Sequence, residues 1–195
     1  MPYKKSEEKR RLILEEAKRV FQEKGYKNVS MTDILQESKI SKGGIYLYFK
    51  SVREIFETLI NQPQENDLVL EEEGLSSKEK IRFFLESQIQ EIVNPDQSLI
   101  AASYEYMLSV KDELSPEVMG ARFSQAVGSI KKILDEANKS GELNVDSRFW
   151  AQHIVWFIEG LRISSTVMQI KRTDLNRQLS GLMEQLESNS RNQRG

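Results

Sequence analysis

Apolar residues recur along most of the chain at intervals of three and four, the spacing of one face of an α-helix. The first run, Ile13, Ala17, Val20 and Phe21, predicts a helix over about 8–24 that Gly25 ends. Later runs, separated by serine caps, prolines and glycines, predict eight more helices. Their approximate ranges are 31–38, 42–49, 51–62, 78–93, 97–110, 116–139, 147–170 and 174–187. No run has a convincing strand pattern, so the sequence predicts an all-α fold of about nine helices.

A polar and acidic stretch over residues 63–77 is the best candidate for a domain boundary. We therefore predict an N-terminal three-helix domain over 1–50, with the helix over 51–62 as its connection to the rest. A larger helical domain is predicted over 63–188, followed by a disordered tail over 189–195.

Charge is distributed unevenly along the chain. Residues 1–60 contain 13 Lys and Arg against 9 Asp and Glu, a net charge of +4, and the remainder carries −6. A basic N-terminal segment is suited to binding a polyanion, although ordinary scatter of surface charge gives a similar net charge.

The remaining composition excludes several classes of site. There is no cysteine and a single histidine, His153, so disulfides, thiolate nucleophiles and histidine metal clusters are excluded. No apolar run approaches the roughly 18 residues of a membrane span. No nucleophile and base are spaced for catalysis. We expect a cytoplasmic protein that is not an enzyme and has no metal, cofactor or membrane partner.

Two short predicted helices, 31–38 and 42–49, are joined by about three residues and preceded by a longer helix. This is the layout of a helix-turn-helix, in which the second helix enters the DNA major groove, but other three-helix bundles share the spacing. Hydroxyl and lysine side chains lie at the helix starts, where free backbone N–H groups attract phosphate. They are Ser30, Thr32, Lys50 and Ser51.

With these motifs, the first 60 residues resemble the DNA-binding domain of the TetR (tetracycline repressor) family of bacterial transcriptional regulators. The residues that carry the resemblance are Ile13, Ala17, Phe21, Gly25, Tyr26, Ser30, Met31, Ile34, Ser41, Lys42, Gly43, Ile45, Tyr46, Tyr48, Phe49, Lys50, Ser51 and Glu54. Three positions depart from the usual pattern: Lys39 replaces glycine, Gly44 replaces serine or threonine, and Val52 replaces lysine. The rest of the chain resembles the family only in its general helical character.

The resemblance and the helix starts together define a predicted DNA-binding surface. Its residues are Ser30, Thr32, Ser41, Lys42, Gly43, Gly44, Tyr46, Leu47, Tyr48, Lys50 and Ser51. Gly43 removes a Cβ that would hold the helix off the DNA. Lys42 suits guanine, and Leu47 or Tyr46 suits a thymine methyl. Packing against neighbouring helices is an equally good interpretation for Tyr46 and Tyr48.

A basic segment at the start of the first helix has two interpretations. Its residues Lys4, Lys5, Lys9, Arg10 and Arg11 either follow DNA or form a solvated helix start, and the sequence does not choose between them.

The C-terminal helices carry apolar faces that the resemblance assigns to a homodimer and to an inducer site. The predicted dimer residues are Phe157, Leu161, Met168, Leu175, Leu179, Leu182 and Leu186. The predicted inducer-lining residues are Phe84, Gln88, Tyr104, Met107, Phe123, His153 and Trp156. Packing within one chain is the alternative for both sets.

The resemblance implies a regulator, usually a repressor, whose partners are double-stranded DNA, a second copy of itself and an unknown small-molecule inducer. The aromatic and methionine content of the predicted lining favours an apolar or aromatic inducer. The competing functions are an enzyme, for which no constellation of residues is present, and a purely helical scaffold, which would not explain the basic front.

Overall fold

The computed structural model describes residues 2–62, 74–94, 97–111 and 116–192. Within these ranges the chain forms nine α-helices and no strand, which confirms the all-α prediction. They are α1 Pro2–Lys24, α2 Met31–Ser38, α3 Lys42–Tyr46, α4 Val52–Ile60, α5 Ser77–Val93, α6 Ile100–Val110, α7 Pro116–Lys139, α8 Ser147–Ser165 and α9 Arg172–Asn192. Most of the predicted boundary segment, residues 63–73, lies outside the described residues.

The first compact unit comprises residues 1–62 together with 95–110. Helix α1 packs on α2, α4 and α6. Its apolar stripe is fully buried because residues three and four apart share the inward face. The core side chains are Ile13, Ala17, Phe21, Ile34, Ile45, Phe49, Ile55 and Phe56, none more than 1% exposed.

Helix α6 and the residues just before it join this unit through aromatic packing and polar contacts. The Tyr106 ring lies 5.3 Å from Phe56 and 5.0 Å from Tyr26 between centroids. Tyr106 Oη donates to Glu57 Oε1 at 2.5 Å. The Lys27 N–H donates to Glu105 at 3.1 Å, and Gln22 donates to the Gln97 carbonyl at 2.6 Å. Residues 97–110 therefore pack with the N-terminal helices, although the predicted division placed them in the second domain.

The second compact unit comprises residues 63–94 and 111–195. Helices α5, α7 and α8 pack on one another, and α9 packs on α5. Arg162 on α8 donates to Gln88 at 2.7 Å and to Glu91 at 2.9 Å, both on α5. The Glu142 carboxylate accepts from the Ser77 and Lys78 N–H groups at 3.1 and 3.0 Å, which satisfies the start of α5.

Helix α8 ends at Ser165, five residues before its predicted end. The hydroxyls of Ser164, Ser165 and Thr166 each donate to a carbonyl three or four residues earlier, at 2.7 Å. Consecutive hydroxyls that bond locally to backbone carbonyls compete with helix propagation, which gives a physical reason for the early end.

Helix α9 corrects two predictions. Its four leucines, Leu175, Leu179, Leu182 and Leu186, are at most 5% exposed within a single chain. They offer no free apolar surface to a second copy, so this stripe is core of the protomer. The helix also continues to Asn192, and Ser190 Oγ accepts from the Asn144 N–H at 2.7 Å. The predicted disordered tail is therefore wrong over 189–192, and 193–195 lies outside the described residues.

Candidate nucleic-acid interface

The start of α2 is a closed network of hydrogen bonds. Ser30 is its N-cap, with a capping box to Asp33, and Ser30 Oγ also donates to Asp33 Oδ2 at 2.5 Å. Lys24 Nζ lies 2.5 Å from Asp33 Oδ1. The hydrogen bonds from Lys24 and Ser30 hold the pKa of Asp33 far below its usual range. The Ser30 hydroxyl thus already forms hydrogen bonds within the protein, whereas the Thr32 side chain is exposed.

The turn between α2 and α3 passes through Lys39, which has φ 54° and ψ 21° in the left-handed region. Lys39 is the one non-glycine residue with positive φ in the described part of the chain. Glycine normally takes this position because a Cβ is disfavoured there. The departure from the family pattern at Lys39 therefore falls on a strained backbone position.

Helix α3 spans only Lys42–Tyr46, capped by Ser41, whose Oγ accepts from the Gly44 N–H at 3.2 Å. It is shorter than the predicted 42–49, because residues 47–49 form the turn into α4. Ile45 is fully buried and holds the helix on the unit. Lys42 is exposed, as are Tyr46 at 45% and Leu47 at 83%. An exposed leucine and tyrosine beside a lysine suit contact with base edges.

The two adjacent glycines of α3 have different surroundings. A Cβ built on Gly43 would meet nothing within 4 Å, so this residue leaves open space. A Cβ built on Gly44 would lie 2.8 Å from Ile40 Cγ2 and 3.1 Å from Ser41 Oγ. A side chain at position 44 would therefore force neighbouring atoms inside the unit to shift, a packing role that the sequence could not distinguish from a role at the DNA.

The start of α4 has a polar cap that leaves one lysine free. Ser51 Oγ accepts from the Glu54 N–H at 3.1 Å, and the Glu54 carboxylate accepts from the Lys50 N–H at 2.6 Å. The side chains of Lys50 and Ser51 are exposed. A cation at a helix start opposes the helix dipole, so this arrangement favours an anion close by.

The first turns of α1 lie against the segment that follows α3. Ser6 Oγ donates to Tyr48 Oη at 3.3 Å, and the Arg10 guanidinium lies 5.3 Å from the Phe49 ring centroid. Tyr48 thus packs on α1 and is half-buried. The sequence left two interpretations open for Arg10, DNA contact or a solvated helix start, although its position one turn before the core residue Ile13 indicated the inward face of α1. The side chains of Lys4 and Lys5 lie outside the described part of the chain.

The predicted inducer-lining residues are divided between the two compact units. Tyr104 and Met107 are on α6 in the first unit. Phe84, Gln88, Phe123 and His153 are buried or half-buried in the second. Trp156 is 61% exposed and stacks on Phe123 at 6.0 Å between centroids. Trp156 therefore lies on the outside of its unit rather than facing an internal pocket.

The two apolar faces of α8 have opposite environments. One face, with Trp150 and Ile154, is buried, and Phe157 and Leu161 on the same side are half-buried. The other face is exposed in the single chain. We call it the α8 stripe, and it consists of Phe149 at 57%, Trp156 at 61%, Gly160 and Ile163 at 44%. Exposed Met168 follows the helix, at 59%.

The described ranges contain neither a candidate metal site nor a candidate membrane span. No group of three or more His, Cys, Asp or Glu side chains there could hold a metal ion. None of the described helices is both long and apolar enough to cross a membrane.

The fold and this surface define a helix-turn-helix DNA-binding domain joined to a second helical unit. Residues 13–59 match the model of bacterial regulatory proteins of the tetR family. Residues 80–176 match the C-terminal domain of tetracycline-repressor-like proteins. The chain belongs to the TetR family of transcriptional regulators, which are DNA-binding and non-enzymatic.

Similar proteins agree with this assignment. The chain is 29% identical over 141 residues to the HTH-type transcriptional regulator YfiR of Bacillus subtilis. That match covers 67% of this chain but only 65% of YfiR. A TetR-family regulator from Rhodococcus sp. has a TM-score of 0.71 at 22% identity, over 92% of this chain and 99% of its own. A cysteine mutant of the TetR-family regulator CifR in complex with a 26-bp operator duplex has a TM-score of 0.69 at 17% identity, over 88% of this chain and 93% of its own. At these identities the two structures show the shared fold alone.

Proposed function

We propose that this protein is a ligand-responsive repressor that acts in the cytoplasm, binds a palindromic operator as a homodimer and is released by a small apolar or aromatic inducer. The observation that carries the DNA contact is the open surface of α3. Gly43 has no neighbour that a Cβ would meet, and Leu47 is 83% exposed beside it. In this proposal the α3 backbone approaches the major groove at Gly43. Lys42 donates to guanine, and Leu47 or Tyr46 contacts a thymine methyl.

Phosphate contacts are proposed at the capped helix starts that flank α3. Thr32 at the start of α2, and Lys50 and Ser51 at the start of α4, have exposed side chains. Hydroxyls and N–H groups at helix starts bind phosphate oxygens and fix the register of the protein on the duplex. CifR, which shares the fold, binds a 26-bp operator duplex, and this supports DNA binding by this chain.

The α8 stripe supports a homodimer. Phe149, Trp156 and Ile163 form an exposed apolar row around Gly160. The apolar residues of an ordinary protein surface are instead scattered singly. In this proposal a second copy covers the stripe, with Gly160 allowing close helix approach. Two protomers then place two copies of α3 on half-sites about one DNA turn apart, roughly 34–36 Å. Trp156 moves from the predicted inducer site to the interface.

The inducer is proposed to bind among α5, α7 and α8, near Phe84, Gln88, Phe123 and His153. The chain leaves the first unit after α4 and again after α6, so either helix is able to carry the response. The hydrogen bond from Tyr106 to Glu57 ties α6 to α4, so displacement of one helix acts on the other. An inducer that prefers the DNA-incompetent state by 10–100-fold supplies about 1.4–2.7 kcal/mol of coupling.

Selection of duplexes from a random library by the purified protein tests the proposal. An imperfect palindrome, bound much more tightly than either half-site, is the expected result. Equal affinity for half-site and full site contradicts the dimeric mode. Apolar ligands are then screened by tryptophan fluorescence and should raise the operator Kd, while operator weakens the ligand by the same factor. A saturating ligand that leaves operator affinity unchanged contradicts induction.

A further inference from the structure

One face of the first turns of α1 is fixed against the residues between α3 and α4. Ser6 and Arg10 are four residues apart and therefore share a face. Ser6 contacts the Tyr48 hydroxyl at 3.3 Å, and the Arg10 guanidinium lies 5.3 Å from the centre of the Phe49 ring. Phe49 is only 1% exposed, so it is a rigid part of the core. The position of Arg10 is thus set by the core of the DNA-binding unit.

The contact with Phe49 orders the Arg10 side chain. A guanidinium within about 6 Å of an aromatic centroid is attracted by the negative face of the ring. Arg10 is half-buried, which is the pattern of a packed stem with a charged head near the surface. A side chain that is already ordered loses less entropy when it binds an anion.

Arg10 and its neighbour Arg11 differ in their partners. Arg11 pairs with Glu15 at 3.5 Å. Within the described part of the chain, no carboxylate is paired with Arg10. Glu7, one turn earlier on α1, is exposed and forms no ion pair with Arg10 in these ranges. Arg10 is therefore an ordered cation with its charge available.

Phe49 leads directly into the start of α4, where the phosphate contacts of Lys50 and Ser51 are proposed. The acid at this place is Glu54, and its carboxylate accepts from the Lys50 N–H at 2.6 Å. The Glu54 carboxylate thus occupies a backbone N–H group at this helix start. The positive charge offered to DNA here therefore comes mainly from side chains. Two cations adjoin Phe49: Lys50 follows it in the chain, and the Arg10 guanidinium lies over its ring.

We propose that Arg10 is a DNA-backbone contact, so that α1 and the start of α4 hold one stretch of phosphates together beside α3. A guanidinium presents two parallel N–H donors that match two phosphate oxygens. Such a contact reads no bases, so it strengthens binding to every sequence equally. This inference rests on the proposed placement of the α4 start against DNA.

Salt titration with a short duplex of mixed sequence tests the contact without knowledge of the operator, because phosphate contacts do not depend on sequence. Arg10→Gln should weaken binding and reduce the slope of log K against log salt by about one per protomer. Arg11→Gln is the matched control, because it removes the same charge one residue away. Its slope should stay close to that of the unmodified protein. An Arg10→Gln slope equal to the Arg11→Gln slope overturns the proposal.

Further variants separate charge from packing. Arg10→Met keeps an unbranched stem over Phe49 without the charge. It should reduce the salt slope by the same amount as Arg10→Gln, with a melting temperature close to that of the unmodified protein. Arg10→Lys keeps the charge and should retain the slope. If Arg10→Gln does not fold, these two decide the question by the same criterion. Lys50→Ala separates the two proposals. A reduced slope there with an unchanged slope for Arg10→Met overturns only the role of Arg10, and unchanged slopes in both also contradict the placement of α4.

Discussion

A Cβ on Gly44 would approach Cγ2 of Ile40 to 2.8 Å, whereas the adjacent Gly43 faces open space. The two glycines of α3 therefore lie in different surroundings. Gly44 lets α3 pack on the turn before it, since the branched Ile40 side chain is stiff at χ1 and does not yield easily. A Cβ on Gly43 would meet no neighbour inside the unit, which agrees with the proposed approach of α3 to DNA at this residue.

Substitution of each glycine by alanine should separate fold from DNA binding. Gly43→Ala should keep or raise stability, by up to about 1 kcal/mol, because alanine is the better helix former. It should weaken operator binding by about tenfold or more, roughly 1.4 kcal/mol, by holding α3 away from the groove. Gly44→Ala should destabilise the unit by about 1–3 kcal/mol through overpacking. Urea denaturation and titration with the selected operator measure both quantities.

A double-mutant cycle checks the cause at Gly44. Ile40→Ala removes the methyl that a new Cβ would meet, so Gly44→Ala should cost less in that background. Equal costs in both backgrounds would show that Ile40 is not the obstacle. Operator binding unaffected by Gly43→Ala would remove the reason given for that glycine.

Lys39 should be a position where glycine stabilises the protein. Its φ of 54° places a Cβ in a conformation that costs about 1–2 kcal/mol for ordinary residues. Lys39→Gly should therefore raise the free energy of unfolding by up to about 1 kcal/mol, part of the relief being offset by the greater freedom of glycine in the unfolded chain. Lys39→Ala removes the same charge but keeps the strained Cβ, so it should give no gain. Equal effects of the two substitutions in urea denaturation would contradict the assignment of strain.

The local rules of the sequence predict the helix-turn-helix well because its signals lie within a few residues of each other. Ser30, Ser41 and Ser51 each cap the helix that the pattern predicts. The place of α6 was not predictable, since the hydrogen bond between Glu57 and Tyr106 joins residues 49 apart. The packing partner of the α9 leucines was not predictable from the sequence either. A period shows that one face is buried, but it does not show whether the partner is the same chain or a second copy.

The link between Lys24 and Asp33 should appear in the acid dependence of stability. The pKa of Asp33 is lowered below its ordinary value of 3.8, mainly by the hydrogen bond from Lys24 and then by those from Ser30. A depressed folded-state pKa stabilises the protein fully above the unfolded value and loses that contribution as pH falls toward the folded value. Asp33→Asn should therefore be less stable than the unmodified protein at pH 7.

The stability difference between the two proteins gives the sharper test. It should stay constant between about pH 7 and 4.5 and shrink only below the ordinary aspartate pKa of 3.8. Urea denaturation at several pH values measures it. Glu15→Gln, at a surface pair whose carboxylate side chain is 57% exposed, serves as the control and should show a much smaller difference at every pH. A difference that is independent of pH down to 3 would contradict the role of the Asp33 charge.

The α8 stripe and the α9 leucines should respond differently to an introduced charge. Trp156 and Ile163 are 61% and 44% exposed in the single chain, whereas Leu179 and Leu182 are both 5% exposed. An arginine on the stripe remains solvated in the monomer but is costly when a second copy covers it. Trp156→Arg and Ile163→Arg should therefore convert a dimer to a monomer, while helix content and protomer melting stay near their original values. Leu179→Arg places a charge in the core and should unfold the second unit. Glu184→Arg, on an exposed position of α9, is the control for the charge alone.

Sedimentation velocity and circular dichroism distinguish these results. If the stripe variants remain dimeric at micromolar concentration, the interface lies elsewhere. If Leu179→Arg gives a folded monomer, the α9 leucines belong to the interface after all.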